Sequence, residues 1–325
     1  MPEPLLSIRD FCVDYVTDRG PVRAIDHLSL DVLAGETLGI AGESGSGKTT
    51  LAQAVMRILP PPGVISGGSV LFEGRDLLRL REPDLRAVRW SRISMVFQSA
   101  MDALNPVITV GEQIVDTLEA HGATSGNAAR RRSAELLELV GIPADRMDGY
   151  AHQLSGGMRQ RVGIALALAL EPSLVILDEP TTALDVIVER EILREIRELQ
   201  RRLGFTVLFI THDLSRMLEV SDRVAVLYAA RLAEIGPAAE LACDPRHPYT
   251  RGLLRAFPSL SAGRAEPESI PGAPPSLMNP PAGCRFHPRC PHAEPRCRER
   301  VPTPVRLGPG HAAACHLLEE EADGE

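Results

Sequence analysis

The chain has 325 residues, enough for about two domains of ~150 residues each, and its 44% hydrophobic content can build a real core. Its 35 basic and 43 acidic residues leave a net charge of −8, which argues against a general nucleic-acid binder, because such a protein shows a basic surface. No run of 18 apolar residues exists (the best candidate, Val162 to Leu177, is broken by Glu171-Pro172), and the opening Met-Pro-Glu-Pro lacks the basic and apolar regions of a secretion signal, so a cytosolic chain that meets a membrane only through a partner is expected.

Leu5–Val16 and Leu28–Leu33 read as strands separated by the turn Thr17-Asp-Arg-Gly-Pro21. Thr37–Ala41 reads as a short buried strand leading into Gly42-Glu-Ser-Gly-Ser-Gly47-Lys48-Thr49. That string fits G-x-x-x-x-G-K-[ST], a loop whose backbone N–H groups cradle phosphates. Lys48 is the only lysine in the chain. A planar guanidinium cannot replace a compact ammonium between two phosphates, so this lysine reads as functional and points to a nucleoside triphosphate. Ser44, Gly45, Ser46, Gly47, Lys48, Thr49 and Thr50 form the expected ATP-binding set. Thr49–Leu59 follows as a helix, ended by Pro60-Pro-Pro-Gly63, and Ser69–Glu73 as a strand.

Residues from about 84 to 170 carry more helical pattern, including Ala128–Val140. Leu154-Ser155-Gly-Gly-Met-Arg-Gln-Arg161 is a Ser-Gly-Gly turn opening a helix, and a helix N-terminus with a serine hydroxyl is an anion site. Leu174–Leu177 and Thr206–Ile210 are continuous apolar runs, as expected of strands buried on both faces of a mostly parallel, helix-covered sheet. The first ends in Asp178-Glu179: Asp178 is placed to reach the Mg²⁺ that Thr49 also contacts, and Glu179 to act as general base for water. Val186–Leu203 is an amphipathic helix with Ile187, Ile192, Ile196, Leu199 and Leu203 on one side, Asp185 as N-cap and Gly204 after its end.

The string Leu154–Arg161 matches the signature motif of ABC transporter ATPases, and residues 5 to 240 resemble that family's nucleotide-binding subunit. The resemblance implies an α/β P-loop NTPase fold with a helical subdomain at about 84–170. It implies that Gln98, after the strand Ile93–Phe97, is the Q-loop glutamine that reaches Mg²⁺ and water, and that the following segment, 99–106, lines the groove for a permease's coupling helix. It makes Thr182-Ala-Leu-Asp185 the D-loop, with Ala183 where serine is common, His212 the switch histidine at the γ-phosphate, and Tyr15 an aromatic that stacks on adenine. Two such domains pair head to tail in this family, so Ser155, Gly156, Gly157 and Gln160 of one chain would close over ATP held by Lys48 of the other. No disabling substitution touches these motifs, which implies a hydrolytically competent subunit.

After about Leu241 proline becomes dense and periodicity fades, marking 241–325 as a small Pro/Cys-rich extension with an acidic tail. His247-Pro-Tyr-Thr-Arg-Gly-Leu-Leu254 and the stretch 270–290 resemble the C-terminal extension of dipeptide and oligopeptide importer ATPases. The resemblance implies an ATPase that drives two membrane permeases from the cytoplasmic face, as a peripheral subunit. It would be fed by an extracytoplasmic peptide-binding protein and paired with a second ATPase, usually in a heterodimer. Nickel importers share the core but usually lack this tail. Soluble ABC ATPases that act on ribosomes or DNA usually carry two domains or a coiled-coil insertion, which this acidic chain lacks. Cys284, Cys290, Cys297 and Cys315 form C-x5-C-x6-C-x17-C. Four thiolates suit a [4Fe–4S] cluster or Zn²⁺ with help from His287, His292 or His316, and a metal-free tail is the third alternative. The absence of a C-x2-C pair weakens a zinc ribbon, and some peptide-importer relatives carry a cluster here. Cys12 and Cys243 read as packing thiols.

Overall fold

In β1 (Pro4–Thr17) the apolar side chains with no exposure at all are Leu6 and Ile8, then Phe11 and Val13, so their spacing of two changes phase once. The change coincides with a register shift between Ile8 and Phe11, where Asp10 takes φ 47°: a bulge keeps both halves of the strand facing the core. The structure is a computed structural model. It describes residues 3–98, 104–182, 184–256 and 268–322 and divides into two compact units, Met1–Arg79 with Phe209–Glu325, and Leu80–Leu208.

β2 (Gly20–Leu33) pairs antiparallel with β1 from Thr17↔Gly20 to Pro4↔Leu33. It starts eight residues earlier than the apolar pattern indicates, because charged residues interrupt that pattern without ending the strand. Arg23 pairs with Asp14 at 2.9 Å, and Asp26 with Arg231 at 2.6 Å, so each charge has a partner in place of water. β3 (Thr37–Ala41) is buried at every residue, and α1 (Lys48–Val55) follows it. α1 stops short of Leu59 because Arg57 adopts a left-handed φ of 52°. β4 (Gly63–Phe72) and β5 (Arg75–Asp76) complete an antiparallel sheet of order β2-β1-β4-β5, so the expectation of a mostly parallel sheet fails for this layer.

In the second unit α2 (Glu82–Val88) precedes β6 (Ile93–Val96). α3 (Val110–Ala120) opens with a capping box: the Glu112 N–H donates to Thr109 Oγ1 at 3.3 Å, and the Thr109 N–H to Glu112 Oε2 at 2.8 Å. α4 (Gly126–Leu139) and α5 (Gly156–Leu168) follow. β7 (Leu174–Asp178) lies parallel to β6 and is wholly buried. α6 (Val186–Leu203) has Asp185 as N-cap and Gly204, φ 76°, as its left-handed terminator, as the sequence indicates. Its buried stripe is Ile192, Leu193, Ile196 and Leu199; Ile187, expected on that face, is 80% exposed. Each fully buried aliphatic side chain contributes about 1.5–3 kcal/mol. β8 (Thr206–Ile210) begins in this unit and ends in the first.

The first unit resumes with α7 (Leu214–Val220), β9 (Arg223–Tyr228) and β10 (Arg231–Pro237). α8 (Ala238–Cys243), α9 (Pro248–Ala256) and α10 (Pro295–Glu299) lead to β11 (Pro304–Gly308), β12 (His311–Ala314) and α11 (His316–Ala322). Within this unit the strand order is β11-β12-β10-β9-β3, with β3 and β9 parallel and the others antiparallel. The Pro-rich segment, which shows no periodicity in sequence, thus adds two strands to a sheet edge.

Candidate active site

β3 delivers the glycine-rich loop to the start of α1. Gly42 (φ 146°) and Gly47 (φ 102°) sit where no side chain fits: a Cβ would lie 2.2 Å from Leu227 O at Gly42 and 2.3 Å from Ala24 O at Gly47. Lys48 is 6% exposed, and its Nζ donates to Gly42 O at 2.7 Å and Glu43 O at 3.1 Å. The ammonium therefore bridges two carbonyls of its own loop. Ser44 and Gly45 form an exposed tip, Ser46 is buried, and Thr49 and Thr50 are half-buried on the first turn of α1. Tyr15 Oη lies 3.4 Å from Thr50 Oγ1, which puts the half-buried tyrosine beside that turn. His212 follows β8, exposed, ahead of the α7 N-cap Asp213.

In the second unit β7 ends in Asp178, 2% exposed, and Glu179, whose φ of 47° is rare for a residue with a side chain. Glu179 Oε2 accepts from Gln98 Nε2 at 3.1 Å and from Thr182 Oγ1 at 3.0 Å. Asp185 Oδ1 accepts from the N–H groups of Ile187 (3.1 Å) and Val188 (3.0 Å). Ser155 caps α5, accepting from the Met158 N–H at 3.3 Å; Gly156 and Gly157 form the first turn, and Gln160 is buried. A Cβ on Gly157 would lie 2.8 Å from Val188 Cγ1, so α5 meets α6 through a glycine. Ala183 and residues 99–103 lie outside the described residues.

All six cysteines are free thiols. Cys297 and Cys315 are buried, Cys284 and Cys290 half-buried, and the Cys284 N–H donates to Cys297 O at 2.9 Å. Burial pushes up the thiols of Cys284, Cys290 and Cys315 (the last to about 11), and each is raised further by others of the four. The four therefore lie within one another's field. Even so, among the described residues no three of them bring their sulfurs within 4.8 Å of one another. Both ring nitrogens of His316 are engaged, Nε2 with Arg300 O at 2.8 Å and Nδ1 with Glu319 at 2.9 Å, so this histidine is not a spare ligand. Cys243 is exposed, which corrects its reading as a packing thiol, whereas Cys12 is buried. Cys12, Asp26 and His27 do group three donors within 4.8 Å. Burial favours the neutral acid at Asp26, but Arg231 and Arg285 hold its carboxyl below the usual range, and cations already occupy the place a metal would take.

Sequence reasoning passed over Glu43, Tyr228, Tyr249 and Arg289. Glu43 fills a variable position of the loop pattern, yet its carboxylate accepts from Arg289 Nη1 at 2.7 Å and Nη2 at 3.0 Å, and its N–H donates to Tyr249 Oη at 2.9 Å. No spacing rule connects positions 43 and 289.

The ABC transporter family profile matches residues 25–182, and the profile for the C-terminal region of oligopeptide/dipeptide transporters matches 233–297. The chain is 44% identical over 324 residues to the dipeptide transport ATP-binding protein DppD of Bacillus subtilis, covering 99% of this chain and 97% of that one. It is 45% identical over 325 residues to the oligopeptide transport ATP-binding protein OppD of Salmonella typhimurium, covering 98% and 96%. Among solved structures, the dimeric ATP-binding cassette MJ0796 in a post-hydrolysis state with ADP and Pi superposes with TM-score 0.64 at 28% identity, covering 72% of this chain and 98% of that one. The cbiO1 subunit of an ABC transporter complex from Clostridium perfringens gives TM-score 0.64 at 29% identity, covering 74% and 92%.

Proposed function

This chain belongs to the ATP-binding proteins of the dipeptide/oligopeptide ABC transporter family, and we propose that it hydrolyses ATP to power import of short peptides through two membrane permeases. Two observations, one in each unit, carry the ATPase reading: a loop whose Gly42 and Gly47 admit no side chain and whose Lys48 is buried, and a buried strand ending in Asp178-Glu179, where Gln98 and Thr182 orient the Glu179 carboxylate. The match of 233–297 to the peptide-transporter C-terminal region supports peptides as cargo.

Lys48 and the N–H groups of 44–50 hold the phosphates, Tyr15 stacks on the base, and Glu179 takes the proton from the attacking water, with His212 at the γ-phosphate. Thr49, Gln98 and Asp178 would supply oxygen donors to Mg²⁺, whose charge would neutralise that of the phosphates. Ser155, Gly156, Gly157 and Gln160, with Asp185, serve the ATP of a second cassette, in a heterodimer. Val186 and Ile187, exposed at the start of α6, offer that partner an apolar patch. We assign 1–240 to the nucleotide-binding domain, with a helical subdomain at about 84–170, and 241–325 to the importer extension. No helix among the described residues is long and apolar enough to cross a membrane. In this reading the chain attaches at the cytoplasmic face through the permeases, with an extracytoplasmic binding protein delivering the peptide.

In the extension, Cys284, Cys290, Cys297 and Cys315 would be the donors for a [4Fe–4S] cluster. A tetrahedral zinc site at Zn–S about 2.3 Å holds its thiolates only about 3.8 Å apart. Among the described residues no three of these sulfurs come within 4.8 Å of one another, which speaks for a bulkier cluster over a single zinc ion; such a cluster would staple a segment with little core of its own.

Disrupting the gene is expected to abolish growth on short peptides as a nutrient. Intact peptide use with lost nickel uptake would reassign the cargo, and an ATPase that stays with membranes after deletion of the permeases would refute attachment through them.

A further inference from the structure

Glu43 is the second residue of the phosphate-binding loop, and it is a carboxylate. Unneutralised, its charge opposes a polyphosphate bound a few ångströms away. In this structure the carboxylate does not stand alone. Both its oxygens are taken by the fork of Arg289, at 2.7 and 3.0 Å, and its backbone N–H by Tyr249 Oη at 2.9 Å. Its carbonyl accepts from Lys48 Nζ at 3.1 Å and from the Ser46 N–H at 3.1 Å. Glu43 is thus fastened from the C-terminal segment on one side and by the phosphate-binding lysine on the other.

Arg289 is itself immobilised. Its side chain is 6% exposed, its Nε donates to Pro271 O at 2.9 Å, and its guanidinium lies 5.8 Å from the Tyr228 ring centre, with Tyr228 Oη 3.4 Å from Nη1. Tyr228, Tyr249 and Phe286 pack against one another with ring centres 4.5 to 5.4 Å apart, which walls in the arginine and the hydroxyl that holds Glu43. The contact extends past this pair: Glu43, Ser44, Gly45 and Ser46 share a cavity of about 230 Å³ with Pro274, Pro275 and Leu277.

We propose that Arg289 is a positioning residue for ATP: it neutralises Glu43 and holds it out of the phosphate site, so that the C-terminal segment sets the loop's affinity for nucleotide. The nitrogens of Arg289 are directed to Glu43, Pro271 O and Tyr228 Oη, so its effect on nucleotide passes through Glu43. The two-pronged geometry matters, because a lysine would supply the charge without fixing the carboxylate plane. The proposal rests on ATP binding at Lys48 and not on any cluster in the tail.

The test is a double-substitution cycle in the full chain, assembled with its transporter, reading KM and kcat for MgATP and the Kd for MgATP by calorimetry. Arg289→Met should raise Kd and KM roughly 10-fold or more. Its kcat at saturation should stay within about two-fold, since no group at the reacting atoms changes. Adding Glu43→Gln should bring Kd back to within about three-fold of the parent, because the offending charge is gone. A purely structural arginine would give a defect that Glu43→Gln does not repair, and that result overturns the proposal, as does a fall in kcat at unchanged KM. If the methionine variant does not assemble, Arg289→Lys takes its place: a KM raised several-fold and returned by Glu43→Gln supports the proposal, and an unchanged KM overturns it. Loss of ATP binding in the Lys48→Ala chain is the separate control on the nucleotide site itself.

Discussion

Gln98 Nε2 donates to Glu179 Oε2 at 3.1 Å, joining two residues 81 positions apart. The same oxygen accepts from Thr182 Oγ1, so the carboxylate is aimed by two donors of its own chain. Preorganisation of this kind leaves a general base little reorientation to do at the moment of reaction.

Replacing Glu179 with Gln removes the carboxylate proposed as base but keeps its shape and its bonds to Gln98 and Thr182. Turnover should fall by about 10²–10⁴ while ATP stays bound. Single-turnover hydrolysis with a nucleotide-retention assay checks this; hydrolysis at the parent rate would move the base elsewhere. Gln98→Ala should cost less, about 10-fold, because Thr182 still holds one side of the carboxylate.

Gly47→Ala should be far more damaging than Gly35→Ala, although both glycines have positive φ. A Cβ at Gly47 would meet Ala24 O at 2.3 Å, whereas at Gly35 nothing lies within 4 Å. Strain alone accounts for about 1 kcal/mol at Gly35, and the clash at Gly47 raises the cost to about 3 kcal/mol or more. Thermal unfolding and ATP titration of the two variants check the difference: Gly47→Ala should lose both stability and nucleotide, and Gly35→Ala should keep its nucleotide.

His247 is wholly buried, and burial pushes its pKa down to about 4 against the pull of the Glu234 carboxylate. Its Nδ1 accepts from the Tyr249 N–H at 3.0 Å, which requires the neutral ring. The unfolded chain takes up this proton near pH 6.5 and the folded chain only near 4. Stability is therefore full above pH 6.5 and falls as the pH drops towards 4, by on the order of 3 kcal/mol. Denaturant midpoints from pH 7.5 to 4.5 should show this slope in the parent and a flatter one in His247→Gln; equal slopes would assign the acid sensitivity to other groups.

Anaerobically purified protein should carry iron with matching sulfide, and Cys290→Ser should lose both. Zinc in their place, or no metal in either protein, would reduce the four-cysteine segment to a packing element. Because these thiols are raised by burial and by one another, reloading the metal-free protein should keep quickening as the pH rises past 9, since thiolate forms only above the ordinary thiol range.

Local sequence determined what repeats locally. The glycine-rich string, the apolar run ending in Asp178-Glu179 and the Ser155 cap each lie within about ten residues, so the chemistry of phosphate, carboxylate and helix start was legible before any fold was known. So were both ends of α6, because Asp185 and Gly204 act on their own backbone. Tertiary structure decided the rest. β2 could not be read in full, because Asp26 finds Arg231 and Arg285 only when the strands assemble, and until then a charged residue looks like an interruption. Ile187 looked like core by period yet lies at the exposed start of its helix, since period shows which side of a helix a residue takes but not where the neighbours stop. The same holds for Glu43 and Arg289. Their pairing depends on a guanidinium 246 residues away, buried beside the Tyr228 ring, and no local pattern encodes that. Propensity and motif act through neighbours in the chain, whereas desolvation and charge pairing act through neighbours in space.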